Sequence, residues 1–228
     1  MKIVILTGAG VSAESGLGTF RDKDGLWTKV DLKEVATPEG FARDPDKVLA
    51  FHNMRRKNAR AARPNEAHFA LARLQAEHSG EVVIITQNVD GLHAAAGSKA
   101  LHMHGRHDLA WCTTCDARWD APDEMSSADA CPSCGQTTTR PDIVWFGEIP
   151  HHLDEISRHL TSADLFAAIG TSGQVYPAAG FVSEARRHGA RTIEINLLAS
   201  DISDQFDDHM LGPATKVVPR WVGEILGA

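Results

Sequence analysis

Six short apolar segments, rich in β-branched residues, recur along the 228-residue sequence and constrain its fold more than any other feature. They show no clean alternation of apolar and polar residues, which is typical of strands buried on both faces of a parallel sheet. Helical patterns lie between several of them, so the sequence predicts an α/β fold with a Rossmann-like, doubly wound parallel sheet. The predicted strands are 2–7, 81–86, 142–146, 164–169, 192–197 and 216–218.

Helix signals occupy the stretches between these segments. Asp44 and Pro45 favour a helix start, because Asp caps helix N-termini and Pro suits the first helical position. Pro64 and Asn65 end that helix and begin another, which we expect to run to Gly80. Two further crossover helices are predicted over 153–162 and 178–188.

The segment 111–140 interrupts this alternation, since it is rich in Thr, Ser, Asp and Cys and shows no buried-strand pattern. It holds all four cysteines, Cys112, Cys115, Cys131 and Cys134, in the spacing C-x2-C-x15-C-x2-C. Two such pairs can complete a tetrahedral Zn²⁺ site with no open coordination position. The sequence therefore predicts one structural zinc in a small ribbon insertion that cannot form its own apolar core. Two disulfides or a redox-active pair are the alternatives.

The first predicted strand runs directly into Gly8, Ala9 and Gly10, and Ala13 completes a GxGxxA variant of the dinucleotide-binding fingerprint. In that fingerprint the glycines let the backbone approach a pyrophosphate, and the N-terminus of the following helix donates N–H groups. A simple tight turn is the alternative. The acidic residue expected about 20 residues further on is missing. The polar loop 14–27 takes its place, which predicts an unusual mode of dinucleotide binding.

Polar or small residues stand at the carboxyl ends of three other predicted strands, where open α/β sheets bind their ligands. These residues are Gln87, Asn88, Asp90, Gly170, Thr171, Ser172 and Asn196. An amide and a carboxylate suit a carboxamide ligand, which offers both a donor and an acceptor. Ordinary polar turns are the alternative.

Two pairs of side chains are candidates for chemistry or binding. His102 and His104 lie in an extended stretch and face opposite ways, so only one of them can serve the crevice as a general base. His52 and Arg55 lie one turn apart on a predicted helix, where they can meet an anion in a pocket. Structural histidines and a solvated pair are the alternatives, since the chain has 12 histidines.

Composition excludes several functional classes. The net charge of −7 argues against nucleic-acid binding, and no apolar run is long enough to cross a membrane. Because all the cysteines lie in metal-type pairs and no secretion signal is present, we expect a cytoplasmic location. We also expect a monomer.

The motifs occur in an order that resembles the sirtuins, which are NAD-dependent protein deacylases. The residues that carry the resemblance are 8–21 (GAGVSAESGLGTFR), 86–93 (TQNVDGLH), 102–105 (HMHG), the four cysteines, 143–148 (IVWFGE), 170–172 (GTS) and Asn196. Segments 176–181 and 212–215 are similar to bacterial members related to the desuccinylase/demalonylase class.

The resemblance implies one catalytic domain over 1–228. Its Rossmann-like NAD-binding part is expected at about 1–35, 81–105 and 141–228, a helical small-domain part at about 36–80, and the zinc insertion at about 106–140.

The resemblance also implies residue roles. NAD would be bound by Gly8, Ala9, Gly10, Ala13, Phe20, Arg21, Trp27, Gln87, Asn88, Asp90, Gly170, Thr171, Ser172, Asn196 and Ala214. The acyl-lysine of a protein substrate would be bound by His52, Arg55, Val144, Trp145, Phe146 and Gly147. His104, the histidine directly before the glycine, and Asn88 would be catalytic.

The expected reaction breaks the bond between nicotinamide and ribose, and the acyl oxygen of the lysine attacks the ribose carbon. His104 would remove a proton from a ribose hydroxyl, which attacks the resulting alkylimidate, and water would then release free lysine and O-acyl-ADP-ribose. A mono-ADP-ribosyltransferase and a non-catalytic NAD-binding module are the alternative functions.

One departure from the family bears on acyl choice. The desuccinylase class has Tyr-x-x-Arg where this chain has His52 and Arg55, and that pair binds the distal carboxylate of the acyl group. A cationic His52 would still accept acidic acyl groups, whereas a neutral His52 would give a looser pocket. The sequence Arg106-His107-Asp108 is a second departure, for which the sequence gives no account.

Overall fold

The computed structural model describes residues 1–19 and 30–227. Its strands are β1 (Ile3–Thr7), β2 (Val82–Thr86), β3 (Ala100–His102), β4 (Gly105–Cys112), β5 (Arg118–Asp120), β6 (Thr139–Ile143), β7 (Leu165–Ile169), β8 (Arg191–Asn196) and β9 (Asp208–Leu211). Its α-helices are α1 (Leu32–Val35), α2 (Pro38–Arg43), α3 (Pro45–Ala61), α4 (Glu66–Glu77), α5 (Leu92–Ala95), α6 (Leu153–Thr161), α7 (Phe181–Arg187) and α8 (Ala214–Leu226).

The main sheet has six strands in the order β3-β2-β1-β7-β8-β9, and all neighbouring strands are parallel. The sequence order reverses between β1 and β7, which makes that position the topological switch point of a doubly wound sheet. All five residues of β1 and all five of β7 are buried, as the absence of alternation in their sequences predicts. The predicted α/β class is confirmed.

Helices cover both faces of this sheet. One apolar cluster packs α4 and α8 against the sheet through Leu71, Leu74 and Trp221, and a second packs α6 and α7 through Ile156 and Val182. The predicted start of α3 is also found, since the Asp44 side chain accepts a hydrogen bond from Lys47 N at 3.0 Å. None of the described helices is long and apolar enough to cross a membrane.

A smaller antiparallel sheet, in the order β5-β4-β6, carries the cysteine-rich segment. The few apolar residues of this segment pack against residues outside it. Ala110, Ala121 and Met125 pack against Leu49 of α3, with Phe41 beside them. The insertion therefore rests on the helical part of the chain, as a segment with few apolar residues of its own must.

Several predicted elements were wrong. Segment 142–146 does not join the main sheet: its first two residues end β6 in the small sheet and the rest form a loop. Segment 216–218 lies within α8, and α4 ends at Glu77 rather than at Gly80. The turn after β1 continues into two short 3-10 helices, Ala9–Val11 and Ala13–Ser15, and not into a regular helix that could donate a row of N–H groups. Strands β3 and β9 were missed because they are short and only partly buried.

Candidate active site

A cavity of about 570 Å³ opens at the carboxyl edge of the main sheet, at the switch point between β1 and β7. Its walls include nearly all of the residues singled out by the sequence: Gly8, Ala9, Gly10, Ala13, His52, Arg55, Gln87, Asn88, Asp90, His104, Val144, Trp145, Phe146, Gly147, Gly170, Thr171, Ser172, Asn196 and Ala214. Phe20, Arg21 and Trp27 lie outside the described residues. The walls also include Ser12, His107 and Tyr176, to which the sequence interpretation gave no role.

The glycines of the first loop are required by a contact within the protein. Gly10 N donates to Gly170 O at 2.9 Å, and Gly8 N donates to Ile169 O at 3.0 Å. A Cβ atom on Gly10 would lie 2.7 Å from Gly170 Cα, and Gly170 itself has a φ of +63°. Side chains at these positions would force the two loops apart. Their close packing leaves backbone at the cavity wall, which is the surface that a pyrophosphate can approach.

Ser12 ties the polar residues after β2 to the glycine loop. Its Oγ donates to Asp90 Oδ2 at 3.0 Å and accepts from Asn88 Nδ2 at 3.2 Å. The same Nδ2 donates to Gly8 O at 3.1 Å, and Asp90 Oδ1 accepts from Leu92 N at 3.0 Å. These bonds fix both side chains at the crevice. Burial raises the pKa of the Asp90 carboxyl, while the hydrogen bonds from Leu92 and Ser12 oppose that shift.

A second group of buried polar side chains lies next to Ser12 and supports the hydrogen bonds of Asn88 and Asp90. Thr7 Oγ1 donates to Thr86 Oγ1 at 2.9 Å and lies 2.9 Å from His93 Nε2. The rings of His93 and His68 are 5.1 Å apart, and His68 Nε2 lies 3.4 Å from Ser12 Oγ. The floor of the crevice is thus a buried hydrogen-bonded network, which holds its members in one geometry.

His104 is the histidine of the HMHG segment that lines the cavity. Its Nδ1 lies 3.2 Å from the carbonyl oxygen of Gln87, which can only accept, so we assign the proton to Nδ1. Nε2 then carries a lone pair. Burial lowers the pKa of His104, and the bond to Gln87 partly offsets the shift. A neutral imidazole with a lone pair in the crevice has the chemistry of a general base. His102 instead directs Nδ1 to Asn88 O, at 3.2 Å.

His52 forms a buried contact that the sequence did not predict. The indole Nε1–H of Trp145 donates to His52 Nε2 at 3.0 Å, so that nitrogen is unprotonated. Burial, together with the charge of Arg55, lowers the pKa of His52 to about 3. Of the two hypotheses for this residue, the structure favours the neutral form. Burial also lowers the pKa of Arg55 to about 10, which still leaves a cation near neutral pH.

The loop 144–147 is held at both ends. Val144 N donates to His104 O at 3.0 Å, and Phe146 N donates to Ala36 O at 2.9 Å. Arg140 of β6 forms a two-pronged ion pair with Glu148 through Nη1 at 2.7 Å and Nη2 at 2.9 Å. Its guanidinium carbon lies 3.4 Å from the centre of the Trp145 ring.

The four cysteine sulfurs lie within 4.8 Å of one another. Cys112 and Cys134 are 3.7 Å apart, as are Cys115 and Cys131. These distances exclude disulfides, in which sulfurs are about 2.05 Å apart. They match the edge of a tetrahedron whose Zn–S bonds are about 2.3 Å long. The predicted structural zinc site is confirmed in its ligands, and four ligands leave the metal no open position for catalysis.

Buried histidines should make the stability of the fold depend on pH. Burial lowers the pKa of His52 and His93 to about 3 and of His68 to about 4. Each folded pKa lies below the unfolded value of about 6.5, so their contribution is complete above pH 6.5. Below that pH the unfolded chain binds more protons. Each histidine should then lower the free energy of unfolding by about 1.4 kcal/mol per pH unit until its folded pKa is reached.

Urea unfolding between pH 7.5 and pH 5 measures this dependence. Because zinc-bound thiolates also take up protons over that range, the informative quantity is the difference between wild type and His93→Gln. We expect the free energy of unfolding of the variant to fall less steeply with decreasing pH, by the contribution of one histidine. Equal slopes would show that His93 titrates normally in the folded state.

The doubly wound sheet, with a polar crevice at its switch point and a four-cysteine cluster beside it, defines a zinc-binding, Rossmann-like protein. The model of the Sir2 family matches residues 8–177. The chain belongs to the Sir2 family.

Relatives and solved structures agree along nearly the full length. The chain is 54% identical to an NAD-dependent protein deacylase of Caulobacter vibrioides, over 99% of this chain and 97% of the relative. It is 52% identical to a protein of the same name from Bdellovibrio bacteriovorus, over 99% and 97%. A solved complex of a Sir2 homologue with NAD superposes with a TM-score of 0.90 at 38% identity, covering 98% of this chain and 89% of that one.

Proposed function

We propose that this protein is an NAD-dependent protein-lysine deacylase that yields nicotinamide and O-acyl-ADP-ribose. The observation that carries the proposal is the position of His104, whose neutral imidazole lies in the crevice together with the glycine loop and the loop 144–147. The names of the relatives and the NAD complex of a Sir2 homologue support it.

The residues present fit NAD as a co-substrate. The closely packed Gly8–Gly10 and Gly170 loops offer backbone to a pyrophosphate, and Asn196 stands at the end of β8 beside them. Asn88 and Asp90, which Ser12 holds by hydrogen bonds, would bind the carboxamide and a ribose. His104 Nε2 is then the base that takes a ribose hydroxyl proton. Bound NAD supplies the ADP-ribosyl group that accepts the acyl group.

The peptide side of the site is expected at the loop 144–147. Extended substrates commonly add to exposed backbone in such a segment, main chain to main chain. Zinc takes no part in the chemistry, since its four thiolate ligands leave no open position.

The finer assignments are also proposals. We propose acetyl as one acyl group, and acidic acyl groups such as succinyl or malonyl as others, because Arg55 lines the cavity and a guanidinium binds carboxylates well. The gathering of all four cysteines as metal ligands suits a reducing compartment such as the cytoplasm.

One experiment tests the function and separates it from ADP-ribosyl transfer to protein. An acetyl-lysine peptide is incubated with the enzyme and NAD, and the products are resolved by mass spectrometry. We expect nicotinamide, deacetylated peptide and O-acetyl-ADP-ribose in equal amounts. Nicotinamide release with a peptide heavier by one ADP-ribose would identify a mono-ADP-ribosyltransferase. NAD binding without turnover would indicate a non-catalytic module.

A further inference from the structure

His107 lies in the cavity wall three residues after His104, on β4, and its surroundings are unusual. Its side chain is only 3% exposed, yet neither ring nitrogen has a hydrogen-bond partner among residues 1–19 and 30–227. A buried polar atom left unpaired loses its hydrogen bonds to water without replacement, so two such atoms on one ring call for a ligand or a functional reason.

The backbone of His107 is held firmly, so the side chain has a defined place. Its N–H donates to Val89 O at 2.8 Å, and its carbonyl accepts from Arg56 Nε at 2.7 Å. The ring centre lies 5.6 Å from that of His52. Rotation about the Cβ–Cγ bond has a broad, two-fold profile, so the ring can present either nitrogen to the cavity.

The neighbourhood of His107 favours an anion. Arg55 and His52 both line the cavity beside it, and burial, together with the positive charges of Arg55 and Arg56, lowers the pKa of His107 well below 6.5. A neutral imidazole has one N–H donor and one acceptor. His52 accepts from Trp145 through Nε2, so its single N–H is on Nδ1, which interacts with the backbone of Val35 rather than with a substrate.

We propose that His107 is a specificity-determining residue of the acyl pocket, which donates its ring N–H to the distal carboxylate of an acidic acyl group on lysine. Arg55 supplies the charge, and His52 positions Trp145 rather than reading the acyl group. This inference rests on the proposed deacylase function and names its substrate class.

The test compares three forms of one lysine peptide: acetylated, succinylated, and carrying the neutral primary amide of the succinyl group. His107→Leu fills the space without ring nitrogens, and His107→Gln restores a donor and an acceptor. We expect His107→Leu to lower kcat/KM for the succinyl peptide about tenfold, the equivalent of one hydrogen bond, with acetyl turnover changed less than about threefold. His107→Gln should recover most of the loss, and wild type should prefer the succinyl peptide to its amide.

A second variant controls for the neighbouring imidazole. His52→Phe should change turnover of the acetyl and succinyl peptides alike, because it disturbs Trp145 and not the carboxylate. An unchanged succinyl-to-acetyl ratio in His107→Leu, or a ratio that responds to His52→Phe alone, would overturn the role of His107. So would a wild-type enzyme that turns over acetyl but not succinyl peptide. If no acylated peptide releases nicotinamide, the proposed function itself fails.

Discussion

Replacing His104 with glutamine is expected to lower kcat for the acetyl peptide by about 10² to 10⁴-fold, the usual contribution of a positioned general base. Glutamine keeps a donor for the Gln87 carbonyl but has no basic nitrogen to receive a proton. Peptide and NAD binding should change little, because the crevice walls remain in place. Single-turnover product formation measured by mass spectrometry, with NAD binding measured by calorimetry, separates the two effects.

His102→Gln is the matched control for this variant. The two histidines are two residues apart, and both direct Nδ1 to a backbone carbonyl at 3.2 Å. His102 differs in that it does not line the cavity. We expect the control to keep kcat within about threefold, since it removes no group that could reach the substrate. Equal losses in the two variants would mean that the HMHG segment acts through structure alone.

The pH profile gives an independent reading of the same residue. Burial lowers the pKa of His104, so its neutral form persists to more acidic pH than for a free histidine. The acidic limb of the kcat/KM profile should therefore lie below pH 6.5, and it should be absent from the residual activity of His104→Gln.

The central strands β1, β2, β7 and β8 could be predicted from sequence, because strands buried on both faces consist of consecutive apolar residues. The same pattern of consecutive apolar residues gave two wrong strand predictions. In 216–218, Val217 and Val218 belong to the buried face of a helix, which continues one turn later at Trp221 and Val222. Pro219, inside that helix, argued against a helix in the sequence. Of the apolar residues in 142–146 only Ile143 and Trp145 are buried, and they pack against the helical part of the chain, with Val35, Val48 and Phe51, rather than between two sheet faces. Phe146 is exposed.

The candidate site divides in a similar way. Loop residues at strand ends could be predicted because parallel topology brings those ends together. The contacts of His52 and His107 could not, since each depends on side chains far away in sequence, such as Trp145, which is 93 residues from His52. The zinc ligands needed no tertiary information, because their spacing alone carries the site.

Replacing Arg140 with methionine is the second change with a large expected effect. Arg140 is only 5% exposed and connects the zinc-bearing sheet to the loop 144–147. It faces Trp111 on β4, next to the pair formed by Cys112 and Thr139, and donates to Ile143 O at 2.7 Å as well as to Glu148. Glu148 in turn accepts from Trp145 N at 2.8 Å. The variant leaves a half-buried carboxylate without its cation, which should cost about 3 kcal/mol of unfolding free energy.

Arg140→Met should weaken the binding of the peptide substrate rather than that of NAD. We expect KM for the acetyl peptide to rise about tenfold, because the loop that would bind it loses its anchor, a loss of about 1.4 kcal/mol. Within the described residues, Arg140 donates hydrogen bonds to Glu148 and Ile143 and to no residue of the glycine loops, so KM for NAD should change by less than about threefold. Steady-state kinetics with each substrate varied in turn measures both values.

Arg118→Met is the control for a lost arginine on the same sheet. Arg118 also stacks on Trp111, at 5.3 Å, but it pairs with Asp116 and Asp142 instead of Glu148. The double variant Arg140→Met with Glu148→Gln should regain part of the lost stability, because no uncompensated charge remains, while the peptide KM stays high. If Arg140→Met and Arg118→Met raise the peptide KM equally, the loop depends on the small sheet as a whole. If only Arg140→Met raises the peptide KM, the Arg140 side chain is the group through which the zinc-bearing sheet positions the loop 144–147.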